Sequence, residues 1–306
     1  MRVRRIFLGA LGWLSGLLLG GGGAAWALPL SERMLVVATQ ELVTPAAPGG
    51  SGVVLARSVE GSVAMAWMEA GAAGRGAIRF ARWNGVTSRW GDAVVVAQGA
   101  GESWSQEMAP VLALGEGGII AVAWPERAEA TAGVWRTIGS RDGGKTWQWW
   151  AVLPARSDQA ESVALAVLAD GRVLAAWAET AGAVRARIVG GSAVSPVWDL
   201  GHNSEGKLSL APLLDGGALL GTAGGGTPAA PRPCVRAFDG GEWLAGAGMV
   251  ETPGSAGPGT LRLVADGPKV RALWFSTVKE EPQVWLASSV EAGGRWTMAQ
   301  QVDLGR

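Results

Sequence analysis

Three observations predict an all-β fold assembled from repeated antiparallel units. The first is composition: 306 residues with 48 Gly, 17 Trp, no Tyr and one His, 48% of them hydrophobic and 17% charged. Glycine at that level suits tight turns, and the apolar content suits short buried strands better than solvated helices. The second is an internal repeat that aligns without gaps. Gly52 to Trp67 (GVVLARSVEGSVAMAW), Ala109 to Trp124 (APVLALGEGGIIAVAW) and Ser162 to Trp177 (SVALAVLADGRVLAAW) each place Gly tenth and Trp sixteenth. The third is the form of each copy. An apolar run of strand length, a Gly-centred turn and a second apolar run make the signature of a β-hairpin.

Taken in order, the chain begins with Arg2, Arg4 and Arg5, an apolar run from Ile6 to Leu19, and the small-residue site Ala25-Trp26-Ala27. This is the pattern of a cleaved signal peptide over residues 1–27. An uncleaved anchor fits less well, because the run is short and broken by Gly9, Gly12 and Gly16. Arg4-Arg5-Ile6-Phe7-Leu8 is similar to a twin-arginine export motif, so both export routes stay open. The expectation is an exported protein, periplasmic or secreted, with no stable membrane span after cleavage. Residues 28–50 are expected to be a leader with one extra strand, Met34 to Val43 (MLVVATQELV), and residues 51–306 a single domain. A lone Cys234 leaves no internal disulfide.

Within that domain a fourth copy, Leu208 to Ala223, keeps Gly217 and loses the Trp, and a fifth, Gly259 to Trp274, carries its Asp266-Gly267 turn shifted by one residue. Both strands of each hairpin are apolar at nearly every position, so both faces are expected to be covered by neighbouring sheets. Two more strand-like stretches follow each hairpin, such as Ala77 to Trp83 with Arg89 to Gln98, or Val134 to Ser140 with Thr146 to Pro154. They close with Trp90, Trp147, Trp198, Trp243 and Trp296. Four strands in roughly fifty residues, five times over, predict a β-propeller of four-stranded blades. Five blades are clear, and Met34 to Val43 leaves a sixth open.

The stretch Ser140 to Trp147, SRDGGKTW, has the chemistry of a self-capping turn. Asp142 can fold back onto backbone N–H groups, the glycines accept positive φ, and Trp147 packs between units. Ser289 to Trp296 (SVEAGGRW) and Phe238 to Trp243 (FDGGEW) are weaker copies. The octapeptide resembles the Asp-box, Ser-x-Asp-x-Gly-x-Thr-Trp, of the sialidase (neuraminidase) superfamily of BNR-repeat β-propellers, through Ser140, Asp142, Gly144, Thr146 and Trp147. That resemblance implies a structural turn between the third and fourth strands of a blade, on the face opposite the binding site. It also implies what a sialidase would need: three arginines for the substrate carboxylate, an aspartate acid/base, and a tyrosine nucleophile activated by a glutamate. The chain contains no tyrosine and reads Val53-Val54-Leu55-Ala56-Arg57 where the arginine-isoleucine-proline motif belongs. No catalytic residue carries over.

Candidate function therefore falls on the other rim. Two residues beyond the hairpin Trp stand Glu69, Glu126 and Glu179, in WME, WPE and WAE. Glu107, Glu161, Arg127 and His202 are expected to lie near them on neighbouring loops. Such a carboxylate-rich mouth suits binding of a sugar or a cation, or acid and base work across a glycosidic bond. The alternative is a set of solvated strand ends repeated through shared ancestry. Trp149 and Trp150 are candidates either for stacking on sugar rings or for packing between blades.

Several function classes drop out. Lys plus Arg and Asp plus Glu both number 26, so no basic surface recommends a nucleic-acid partner. One His and one Cys make no standard zinc site, and Gly224 to Gly226 is not followed by a helix that would cradle phosphate, so no metal or cofactor is expected. The reading is an exported, monomeric, non-catalytic propeller that binds a glycan or an envelope or extracellular protein. An exo-acting glycoside hydrolase using the rim carboxylates is the alternative.

Overall fold

The period-two apolar runs become strands, and each glycine-centred turn folds one strand back on the last. In a computed structural model of the chain, the residues described are 45, 50–69, 76–98, 109–126, 134–154, 162–179, 181–191, 195–202, 207–227, 230–244, 248–249, 258–278, 281–289, 291 and 293–302. The chain divides into two units, residues 1–44 and 45–306, and the sheets of the described residues lie in the second. The proposed export signal and the strand expected at Met34 to Val43 lie outside the described residues.

Five antiparallel sheets follow one another along the sequence, each laid down strand beside strand in chain order. The first contains β1 (Gly50–Arg57), β2 (Val63–Glu69), β3 (Ala77–Asn84), β4 (Arg89–Trp90) and β5 (Val94–Gln98). Its outermost strand is interrupted, since β4 and β5 both pair with β3. The second holds β6 (Val111–Leu114), β7 (Ile120–Glu126), β8 (Val134–Ser140) and β9 (Gln148–Leu153). The third holds β10 (Val163–Val167), β11 (Val173–Ala178), β12 (Ala183–Val189) and β13 (Trp198–His202). The fourth holds β14 (Leu208–Pro212), β15 (Ala218–Thr227), β16 (Ala230–Phe238) and β17 (Gly248–Met249). The fifth holds β18 (Pro258–Asp266), β19 (Lys269–Val278), β20 (Glu281–Ser289) and β21 (Gln300–Gln301).

Successive sheets pack face to face, with their first strands adjacent: β1 by β6, β6 by β10, β10 by β14 and β14 by β18. Each gap is filled by a separate apolar cluster. Leu112, Val122 and Trp124 of the second sheet meet Ala66, Ile78 and Phe80 of the first. Ala121, Ala123 and Trp135 meet Val163, Val173 and Trp177 of the third. Leu174, Ala176 and Val184 meet Leu208, Leu220 and Phe238 of the fourth. Leu219 and Val235 meet Leu261, Ala272 and Trp274 of the fifth. Small residues on the facing strands let the sheets approach, and the tryptophans supply most of the buried area per residue.

Two expectations are corrected. Burial on both faces holds for the middle of the stack, where every residue of β10 and β11 is buried. It fails at the ends. Val53 and Leu55 on β1, with Val264 on β18 and Phe275 on β19, are exposed, because a face is covered only where another sheet stands against it. The fourth repeat is also displaced by one residue. Its hairpin turn runs from Pro212 to Ala218, and Val167 to Val173 frames an equal turn in the third. Thr222, not Ala223, therefore occupies the position held by Trp177 in the preceding sheet.

Candidate functional site

The two ends of β8 carry the two candidate regions. At its C-terminal end, SRDGGKTW joins β8 to β9 and is closed on itself. Ser140 Oγ donates to Asp142 Oδ1 at 2.7 Å and accepts from the Gly144 N–H at 2.8 Å. Asp142 Oδ1 accepts from the Lys145 and Thr146 N–H groups at 3.0 and 2.9 Å, and Oδ2 accepts from the Thr146 hydroxyl at 2.6 Å. The Thr146 hydroxyl and N–H, then Ser140, hold the Asp142 carboxyl far below the ordinary carboxylate range. Four accepted hydrogen bonds leave this carboxylate weakly basic, which suits it to holding the turn. Trp147 donates Nε1–H to the Gly144 carbonyl at 3.1 Å and meets Phe80 of the first sheet edge-on, at 5.4 Å between centroids.

The shortened copy FDGGEW uses the same carboxylate device, while in SVEAGGRW the Ser289 hydroxyl accepts instead, from the Glu291 and Gly293 N–H groups at 3.4 and 3.1 Å. Asp239 accepts from the Gly241 and Glu242 N–H groups, both at 2.8 Å, and these bonds lower its pKa. Asn84 does the same for Val86 and Thr87 in the first sheet, a copy that sequence comparison overlooked because the acid is replaced by its amide. Arginines on this rim lean onto the next sheet. Arg141 donates to the carbonyls of Gly190 and Gly171 at 2.9 and 3.3 Å, and Arg172 donates to that of Gly240.

At the other end of the strands stand the three repeated glutamates, and each is held by an arginine of the third strand. Glu69 pairs with Arg79, Glu126 with Arg136 and Glu179 with Arg185. In all three the arginine lies directly across from the hairpin Trp, since Trp67, Trp124 and Trp177 are in register with Arg79, Arg136 and Arg185. The Trp–Glu–Arg set is thus one repeated structural unit, and the arginines are functional candidates that the sequence reading missed. Their signal was available: they follow the glutamates by ten, ten and six residues, at one strand register. The fourth and fifth sheets lack the set, with Thr222 opposite Cys234 and Trp274 opposite Trp285.

The three copies differ in how fully they are used. In the first sheet both oxygens of Glu69 are engaged, Oε2 by Arg79 at 2.8 Å and Oε1 by the Trp67 indole N–H at 3.1 Å. In the third, Arg185 bridges Glu179 at 2.9 Å and Asp199 at 3.5 Å. His202, at the end of β13, packs its ring over the Gly182 turn, where a Cβ would fall 2.4 Å from Cε1. In the paired strands His202 stands across from Ala183, the first residue of β12. In the second sheet Arg136 Nε meets Glu126 Oε2, and the guanidinium carbon lies 5.6 Å from the ring centre of Trp149. Trp149 is 59% exposed and stands 5.5 Å from buried Trp124. Glu107, Glu161 and Arg127 lie outside the described residues. Among the described residues no three potential metal ligands come together.

The adjacent tryptophans part company. Trp150 packs into the cluster between the second and third sheets, over Gly139 and Gly190, where a Cβ would fall 1.8 and 2.5 Å from the indole. Trp149 turns to solvent on the opposite face of its strand.

Sheets stacked first strand to first strand, four of them four-stranded meanders and the first with its outer strand split in two, are the blades of a known architecture. The chain matches no protein-family model and no curated relative. Among solved structures it is similar to a fucose-recognising lectin of Aleuria aurantia with a six-bladed β-propeller fold. The TM-score is 0.54 and the identity 13%, over 84% of this chain and 80% of that one. The fold is that of a β-propeller. The same likeness extends to the lectin SapL1 solved with α-methyl fucoside (TM-score 0.52, 14% identity, 84% and 83% covered). It extends also to an α-L-arabinanase of Penicillium chrysogenum solved with arabinobiose (TM-score 0.51, 11% identity, 84% and 81% covered). The described residues of this chain form five blades.

Proposed function

We propose that the protein is a non-catalytic glycan-binding propeller whose contact surface is Glu126, Arg136 and Trp149 on the second blade. The observation that carries this reading is the exposed face of Trp149 beside an Arg–Glu pair. Sugars present an apolar C–H face and a polar hydroxyl edge. An indole suits the first, and charge-assisted donors and acceptors suit the second. The propeller neighbours that bind or cleave glycans support the same direction. The mature protein is proposed to be exported, where such ligands occur, and SRDGGKTW supports placing it near the Asp-box propellers of the sialidase superfamily.

The glycoside hydrolase alternative rests on Glu179 and Asp199, two carboxylates that share Arg185. In the proposed reading the rim carboxylates serve as fixed acceptors, not as acid and base. A glycan array probed with purified protein, together with chromogenic sialosides and neutral glycosides, tests both. Array binding that is lost in Trp149→Ala, with no turnover, supports the binding reading. Turnover abolished by Glu179→Gln or Asp199→Asn replaces it with the hydrolase.

A further inference from the structure

Building on the reading just given, we infer that the second-blade site takes a neutral sugar with adjacent hydroxyls and not a sialic or uronic acid. Arg136 is the cation beside Trp149, and its Nε is already committed to Glu126 Oε2. The pair is formally neutral, and Glu126, with 28% of its side chain exposed, remains at the site. A ligand carboxylate would approach Glu126 as a like charge and would have to displace it from Arg136, both of which oppose binding. A neutral diol meets the opposite situation. Among the described residues Glu126 Oε1 and the Nη edge of Arg136 have no hydrogen-bond partner, and 39% of the Arg136 side chain is exposed. They offer one acceptor and one paired donor edge, side by side. Adjacent hydroxyls supply one donor and one acceptor to match, while the ring carbons lie on the Trp149 face.

The other two copies of the set lack this combination. Glu69 has both oxygens engaged within its own blade, and Arg185 is shared between two acids. Among the described residues, it is the second blade that adds an exposed indole, at 5.6 Å from the guanidinium. The contrast with the sialidase resemblance is direct: there arginines receive the substrate carboxylate, whereas here the arginine already has a carboxylate of its own.

The test is calorimetric titration of the full-length protein with methyl glycosides of neutral hexoses and deoxyhexoses, and separately with methyl sialoside and methyl glucuronide. Saturable binding of at least one neutral glycoside, with acidic glycosides weaker by more than about tenfold, is expected. Glu126→Gln, shown folded by circular dichroism, is expected to weaken the neutral ligand and to narrow that gap by about tenfold or more. Preference of the wild type for an acidic glycoside overturns the inference and leaves glycan binding standing, as does an unaltered preference in both Glu126→Gln and Arg136→Lys. Failure of every glycoside of either class to bind overturns the glycan reading itself.

Discussion

The two ends of β8 lie on one strand and treat their polar groups in opposite ways. At Ser140 to Trp147 every oxygen of Asp142 is spent on the turn, and neighbouring arginines close the next blade's carbonyls. At Glu126 and Arg136 one pair forms among the described residues, leaving there an acceptor, a donor edge and an open indole. The difference teaches that the richest sequence motif marks where the fold is fastened, and that recognition is better sought where a repeated set is incompletely satisfied.

Substitutions at either end give ways to break that contrast. The largest effect is expected inside the fastened half. Gly139→Ala drives a methyl into the Trp150 indole, where a Cβ would lie 1.8 Å away. Overpacking of this kind costs about 1–3 kcal/mol, visible as a lowered Tm in a thermal melt. Next comes Asp142→Asn. Because the folded carboxyl is held below its unfolded value of about 3.9, its stabilisation is complete above that pH and drains away as acid protonates it. The Tm gap between wild type and Asp142→Asn should be widest near neutrality and narrow steadily below about pH 4; a gap constant with pH would mean the turn does not depend on the charge.

On the open rim, Trp149→Ala is expected to leave Tm nearly unchanged, within about 0.5 kcal/mol, and to weaken glycan binding by at least about tenfold. The smallest effect sharpens the comparison between copies of the set. Glu179→Gln breaks a partly exposed pair shared with Asp199, so it should cost less than about 1 kcal/mol in chemical denaturation and leave sugar affinity at the second blade intact.

Much of the scaffold was legible because its signals are local. Glycine turns and apolar runs spaced by the hairpin length identify strands whatever they pack against. Glu69, Glu126 and Glu179 were visible for the same reason, since they sit at a fixed step beyond each Trp. Arg79, Arg136 and Arg185 were not, because what joins them to the glutamates is cross-strand register, a property of the paired strands. Trp149 and Trp150 were indistinguishable in sequence for a related reason. A register shift between Thr137 and Ile138 leaves Trp150 unpaired and decides which indole enters the core. The exposed flanks at Val53, Leu55, Val264 and Phe275 show a further limit: an apolar strand does not state whether a neighbouring blade will cover it.

The central claim is that Trp149, with Glu126 and Arg136, forms a sugar-binding surface on the second blade. It is tested most directly by titrating full-length wild type and Trp149→Ala in parallel with the tightest neutral glycoside found on the array. Saturable binding to the wild type at one site, lost in a variant with unchanged Tm, is the expected result. Equal affinity in the two proteins would contradict it and move recognition away from this rim.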